Sequence, residues 1–230
     1  NISKQFRLIQ DTYSIQNIYY DSESQIVWCA TWGWGLMGFH IHTGAEYSID
    51  IKQDDYYHTN IYSITGDSEG RIYLGMLNAG FIVIEDAQTS KPKISFYNTG
   101  TQSVMQNNFI LDMHNDKNGN IWIGTCYEGL FKYSINDKHI SQVYKPDKEH
   151  TFVIEALCSD NQGNIWFSSN HSISKYDVES KKVSHFSKHD GIPVGFYNGI
   201  AYKDTTGQLF FGGLDGLIRF KPENLSKKDK

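Results

Sequence analysis

The chain has 230 residues with 21 basic and 26 acidic side chains, a formal charge of −5, and at roughly 150 residues per domain it holds one large domain or two small ones. That balance gives no support to a polycationic nucleic-acid surface or an anionic-membrane surface, and no apolar run approaches the roughly 18 residues of a membrane helix. With 5 Trp, 15 Tyr, 13 Phe and 20 Gly against 4 Pro, the composition favours β-structure with many tight turns over a helix bundle or disorder.

The chain opens on an isolated apolar segment, Phe6-Arg7-Leu8-Ile9, and then enters a unit that recurs along its length. Gly70-Arg71-Ile72-Tyr73-Leu74-Gly75, Gly119-Asn120-Ile121-Trp122-Ile123-Gly124, Gly163-Asn164-Ile165-Trp166-Phe167-Ser168 and Gly207-Gln208-Leu209-Phe210-Phe211-Gly212 superimpose without gaps, and a degenerate copy surrounds Trp28. The anchors Trp28, Tyr73, Trp122, Trp166 and Phe210 are spaced by 45, 49, 44 and 44 residues, within the roughly 40–50 that one four-stranded propeller blade consumes. The predicted fold is all-β: a β-propeller of about five four-stranded antiparallel blades, with repeats near 11–55, 56–104, 105–149, 150–193 and 194–222.

Each unit begins with an apolar pair three residues apart, Ile15 and Ile18, Ile61 and Ile64, Ile110 and Met113, or Ile154 and Leu157, followed by Asp21, Asp67, Asp116 or Asp160; Asp204 takes that place in the last unit. A spacing of three suits a helix better than a pleat, but the segment is short and runs straight into a turn, so it is read as a bent strand. In the last four copies Gly70, Gly119, Gly163 and Gly207 follow the Asp by three, as in a hairpin where Asp binds backbone N–H groups and Gly takes a positive φ. The first copy has Ser24 there and is expected to be strained or one residue longer. Asp116-Lys117-Asn118-Gly119-Asn120 also looks like the start of a calcium loop, but no Glu stands at the distance an EF-hand requires, and the sister copies lose the other oxygen ligands.

Third strands are expected from Leu36, Phe81, Leu130, Ile173 and Leu217, and outer strands around Ile49, Phe96, Val143 and Phe186. The last unit lacks an outer strand, because after Phe220 the chain runs through Lys221-Pro222 into the charged stretch 223–230, a tail or a linker to a following domain. Residues 3–10 are therefore expected to supply that strand and close the ring, removing open edges. Cys29, Cys126 and Cys158 form no C-x-x-C pair and are odd in number, so they are expected to be small buried strand residues. A start at Asn1 without a basic or apolar leader fits an excised piece or a processed product.

At Asp116-Lys117-Asn118-Gly119-Asn120-Ile121-Trp122-Ile123-Gly124-Thr125, with Gly129-Leu130 and Tyr133, the chain resembles the two-component regulator propeller repeat, D-x-x-G-x-I-W-I-G-T-x-x-G-L-x-x-Y. The resemblance covers about residues 15–222. It departs at Trp28, which lacks the preceding Gly, and at Ser168-Ser169, which replaces Gly-Thr. The family usually has more than five repeats, which leaves open whether five blades are a complete ring. The segment from Asp190-Gly191-Ile192-Pro193 to Phe220-Lys221-Pro222 is similar to the terminal repeat that precedes an Ig-like sandwich in periplasmic sensors. The resemblance implies the periplasmic sensor region of a hybrid two-component histidine kinase, with an Ig-like domain and a kinase in the same parent chain and a glycan fragment as ligand. Homodimerisation of the intact sensor stays open.

In a propeller, ligands meet the face formed by the loops between second and third strands and the loops leading into each innermost strand. The first set offers Trp32, Trp34, Asn78, Tyr127, Glu128, Asn170, His171 and Asp215; the second offers Tyr57, His58, His150 and Tyr197. Aromatic rings beside amides, imidazoles and carboxylates suit a neutral polyhydroxylated ligand, because rings cover apolar sugar faces while polar groups fix hydroxyls. No cofactor or metal is expected. A glycoside hydrolase or lyase with two carboxylates drawn from Glu128, Asp215, Asp54, Asp55 and Glu149 is the first alternative, and nothing in their neighbourhoods marks one as a raised-pKa acid. A protein-interaction platform is the second, since propeller faces bind peptides with the same groups.

Overall fold

The computed structural model describes residues 14–53, 56–57, 60–77, 79–98, 100, 104–105, 109–116, 118–147, 152–192, 195–214 and 216–225. The first sheet holds β1 (Ser14–Asp21), β2 (Ile26–Trp32), β3 (Leu36–His40) and β4 (Glu46–Ile49); a two-residue ladder of β5 (Lys52–Gln53) and β6 (Tyr56–Tyr57), which the repeat pattern does not announce, follows it. The second sheet holds β7 (Ile61–Gly66), β8 (Ile72–Met76), β9 (Phe81–Glu85) and β10 (Lys93–Tyr97). The third holds β11 (Ile110–Asn115), β12 (Asn120–Thr125), β13 (Leu130–Ser134) and β14 (His139–Tyr144), and the fourth β15 (Ile154–Ser159), β16 (Ile165–Ser169), β17 (Ser172–Tyr176) and β18 (Val183–Phe186). In the fifth, β19 (Phe196–Lys203), β20 (Leu209–Gly213) and β21 (Gly216–Phe220) pair in that order. The pairing expected for residues 3–10 lies outside the described residues.

Neighbouring strands are antiparallel throughout, and the innermost strands β1, β7, β11, β15 and β19 pack side by side in chain order. The fold is a β-propeller. Because side chains alternate across a strand, each second strand feeds two different interfaces. In β12, Ile121 and Ile123 pack with Tyr73 and Phe81 of the second blade, whereas Trp122 packs with Leu157 and Phe167 of the fourth. In β16, Ile165 and Phe167 face the third blade and Trp166 faces the fifth. The described residues hold four apolar clusters, one for each pair of successive blades.

The spacing of three in the innermost strands has a local cause. The pairing register skips one residue between Ile15 and Asn17, Ile61 and Ser63, Ile110 and Asp112, and Ile154 and Ala156. A β-bulge of this kind rotates the following residues by one face, so Ile61 and Ile64 enter one cluster together, as do Ile110 and Met113, and Ile154 and Leu157. The bent strand expected from the sequence is a bulged one. The Gly of the W-I-G segment admits the next blade: a methyl group at Gly75 would stand 2.7 Å from Ile110 Cγ2, and one at Gly124 2.6 Å from Ile154 Cγ2. Ser168 occupies that position in the fourth blade, and its buried hydroxyl has no hydrogen-bond partner among the described residues.

The D-x-x-G turn is held as the sequence implies. Asp116 Oδ1 accepts from the N–H groups of Asn118 and Asn120, and its Oδ2 accepts from Trp122 Nε1 at 2.9 Å. Asp160 repeats this with Gln162, Asn164 and Trp166 Nε1, also at 2.9 Å, and Asp67 takes the Tyr73 hydroxyl at 2.7 Å. In the first blade Asp21 pairs with Ile26 across four turn residues, one more than separate Asp67 from Arg71, and Gln25 takes the positive φ of 60°. That longer turn is the one expected around Ser24. Cys29 and Cys158 are buried in strands and Cys126 is partly so.

Candidate functional site

The loop face is built where each blade's second-to-third-strand loop laces onto the segment leading into the next innermost strand. Trp32 bridges Asn60, and Leu77 N–H donates to the Asn60 carbonyl. Cys126 bridges Val153, Cys126 N–H donates to the Phe109 carbonyl, and Tyr127 N–H donates to the Phe152 carbonyl at 2.8 Å. Asn170 Oδ1 accepts from Val153 N–H at 3.1 Å, and the Asn170 carbonyl accepts from Gly195 N–H. Backbone groups of the loops are thus satisfied between blades.

The described candidates fall into three places. Trp32 is half-exposed and meets Tyr62 edge to face, with ring centroids 5.4 Å apart; Trp34 stands exposed between Gly33 and Gly35, whose φ values of 91° and 71° only glycine adopts easily. Tyr127 is exposed and itself has a φ of 79°, a strained value for a residue with a Cβ. Glu128 follows it, its N–H bonded to Thr125 Oγ1 and its carbonyl to Gln142 Nε2. Asn170 and His171 line a cleft of about 330 Å³ together with Tyr144, Phe152 and Ser172. Within that cleft Tyr144 and Phe152 lie edge to face at 5.8 Å, backed by Phe167. Among the candidates read from sequence, the structure therefore joins Asn170 with His171 in one cleft and brings Tyr127 beside Glu128.

His58, Asn78, His150 and Asp215 lie outside the described residues, as do Asp54, Asp55 and Glu149; Tyr57 and Tyr197 are placed on β6 and β19 by their backbones. Tyr62, Tyr144, Phe152 and Glu155 were not singled out by sequence. Tyr62 and Glu155 are the bulge residues, skipped between the two apolar positions, and that position is the signal that could have found them. Glu155 is half-buried, and desolvation raises its carboxyl pKa above the usual range. Two larger grooves, of about 540 and 460 Å³, open at the opposite end among the D-x-x-G turns. The described residues contain no cluster of three His, Cys, Asp or Glu side chains able to hold a metal.

Residues 105–127 and 148–171 match the family described as two component regulator propeller. The chain is 24% identical over 95% of its length to histidine kinase P4 of Formosa agariphila, of which it spans 16%. The extracellular domain of a hybrid two component system of B. thetaiotaomicron superimposes with a TM-score of 0.77 at 24% identity, over 95% of this chain and 30% of that one. A second such extracellular domain from B. thetaiotaomicron, of a one component system, gives 0.71 at 18% identity over 90% of this chain and 27% of that one. The chain spans less than a third of each of these proteins. No helix among the described residues is long and apolar enough to cross a membrane.

Proposed function

Given that the chain carries two-component regulator propeller repeats, we propose that it is the ligand-sensing part of an extracytoplasmic two-component sensor. Its ligand is a neutral, glycan-derived molecule bound on the loop face. The observation that carries the ligand class is the Tyr144–Phe152 cleft with Asn170 and His171 at its wall, where rings for an apolar sugar face stand beside amide and imidazole groups for hydroxyls. A kinase in the parent chain reads the bound state through an Ig-like domain. Binding signals only through a difference in affinity between two orientations of propeller and following domain, so the loop lacing that joins adjacent blades is suited to pass a local change onward.

Calorimetric titration of neutral oligosaccharides into the chain tests this reading. Saturable binding that weakens on substituting Tyr144 or His171 is the expected result. Absence of binding to every sugar, together with retention of a protein ligand on the same face, assigns the face to protein recognition instead. Release of reducing ends from a bound oligosaccharide assigns it to hydrolysis.

A further inference from the structure

At the end of the third strand the second and fourth blades carry an acid that the third blade lacks. The residue following Ile84, Tyr133 and Tyr176 is Glu85 in the second blade, Ser134 in the third and Asp177 in the fourth. Glu85 neutralises two cations: Lys93 Nζ of its own sheet at 2.6 Å, and Lys138 Nζ at 3.8 Å, which reaches back from the hairpin between β13 and β14 of the next blade. Asp177 takes Lys175 Nζ at 3.2 Å. Both kinds of cation recur around Ser134. Lys132 precedes Tyr133 as Lys175 precedes Tyr176, and Lys181 follows Tyr176 by five as Lys138 follows Tyr133, the two hairpin lysines having φ values of 57° and 50°. Ser134 stands in the place of their acid, and its hydroxyl donates to Asp137 Oδ2 at 2.9 Å. Among the described residues neither Lys132 nor Lys181 forms an ion pair. Both line the groove of about 540 Å³ between the third and fourth blades.

We propose that this groove binds a small monocarboxylate with an apolar body, whose carboxylate takes the place that Glu85 and Asp177 hold in the neighbouring blades. Lys132 is half-buried and lies across the strands from Trp122 and Ser141, on the face turned toward the fourth blade. An ammonium held at a partly desolvated wall without an anion is costly, and a charge-assisted hydrogen bond to a ligand relieves that cost. Asp116 also lines the groove, but its two oxygens already accept four hydrogen bonds, from Asn118, Asn120 and Trp122, and are turned into their own hairpin. Two ammoniums against that one carboxylate leave a single positive charge along the groove, which matches a monoanion. Val143 and Val178 line the groove beside the Trp122–Tyr176 ring pair, whose centroids are 5.6 Å apart, and offer the body an apolar contact. The volume falls within the roughly 300–1,000 Å³ of small-molecule sites. The groove opens at the end opposite the loop face and does not depend on the glycan reading.

Titration of the isotope-labelled chain with hexanoate, 1-hexanol and hexyl phosphate, followed by amide chemical shifts, tests the proposal with three probes that share one apolar body. Hexanoate is expected to saturate shifts at Lys132, Val143, Val178 and Lys181, and 1-hexanol to leave them unmoved. The double substitution Lys132→Met with Lys181→Met is expected to weaken hexanoate at least about tenfold. Ser134→Glu keeps both lysines but supplies the acid from within the chain, and it is expected to weaken hexanoate by a similar factor. All these positions lie at the surface or the groove wall, so the melting temperature of each variant is expected within about 2 °C of the parent. Equal binding of 1-hexanol overturns the proposal in favour of an apolar groove without anion recognition. Tighter binding of hexyl phosphate overturns it in favour of a phosphate site. Unchanged hexanoate affinity in Ser134→Glu, or no saturable shift with hexanoate, overturns it outright.

Discussion

Asp112 is the side chain on which three blades converge. Its Oδ1 accepts from the Ser63 hydroxyl of the second blade at 3.0 Å and from Met113 N–H, and its Oδ2 accepts from Leu157 N–H of the fourth at 2.7 Å. Desolvation nevertheless outweighs these donors and pushes its carboxyl up to about 7. A group whose pKa is higher folded than unfolded contributes stability that is complete below the unfolded value, near 3.9 for Asp, and is lost as pH rises through the folded one. Stability against urea is therefore expected to decline between about pH 4 and 7, and Asp112→Asn, which cannot ionise, should flatten that slope. The loop-face rings give a second expectation at this scale. Replacing Trp32 and Trp34 by Ala should cost about 1–3 kcal/mol of sugar binding by calorimetry if both rings cover ligand, with the far-ultraviolet dichroism unchanged. Of the pair, Trp34→Ala should leave the melting temperature nearer the parent, since Trp32 also packs on Tyr62.

At the scale of the element, the D-x-x-G hairpin concentrates its stability in one carboxylate. Asp160 accepts four hydrogen bonds, from two backbone N–H groups, Asn164 Nδ2 and the Trp166 indole. Its replacement by Ala leaves the buried donors of Asn164 and Trp166 without their acceptor and is expected to cost about 2–4 kcal/mol in urea unfolding. Asp204 binds Thr206 and Gln208 in an exposed turn whose sixth residue is Phe210, with no donor to offer, so Asp204→Ala should cost about 1 kcal/mol or less. These hairpins were legible in the sequence because one local contact network repeats at a fixed spacing, and the outer strands at Ile49, Phe96, Val143 and Phe186 followed from the same period. The bulges were legible only as an anomaly, a spacing of three where a strand gives two. The Tyr144–Phe152 cleft was not legible, because its walls come from an outer strand and a loop of adjacent blades, and neither residue sits at a repeat position that marks it.

For the whole molecule, no blade owns a core. The second, third and fourth sheets each donate one face to the cluster before them and the other to the cluster after them, so stability is a sum of nearest-neighbour interfaces in the manner of a linear repeat. Amide hydrogen exchange is expected to be slowest in β8, β12 and β16, which have a blade on either side. It should be faster in β1 and β19, where one flank carries the exposed Ile15, Ile18, Ile200 and Tyr202. Equal protection across all five blades would contradict this gradient.

The inter-blade lacing of the loop face also governs how the propeller bears load. A pull applied at Ser14 and Leu225 runs along successive blades, and each junction resists with its apolar cluster and with short lateral bridges such as Tyr127 to Phe152 and Gly195 to Asn170. Further bridges join the blades at the opposite end, from Asn115 Nδ2 to the Gly66 carbonyl and from Lys203 Nζ to the Asp160 carbonyl, so a junction is held at both ends and gives way as a unit. Under tension the molecule should therefore yield in discrete steps of one blade's contour length, the flanking blades first. A sensor that transmitted strain would then report through its junctions while each sheet stayed intact.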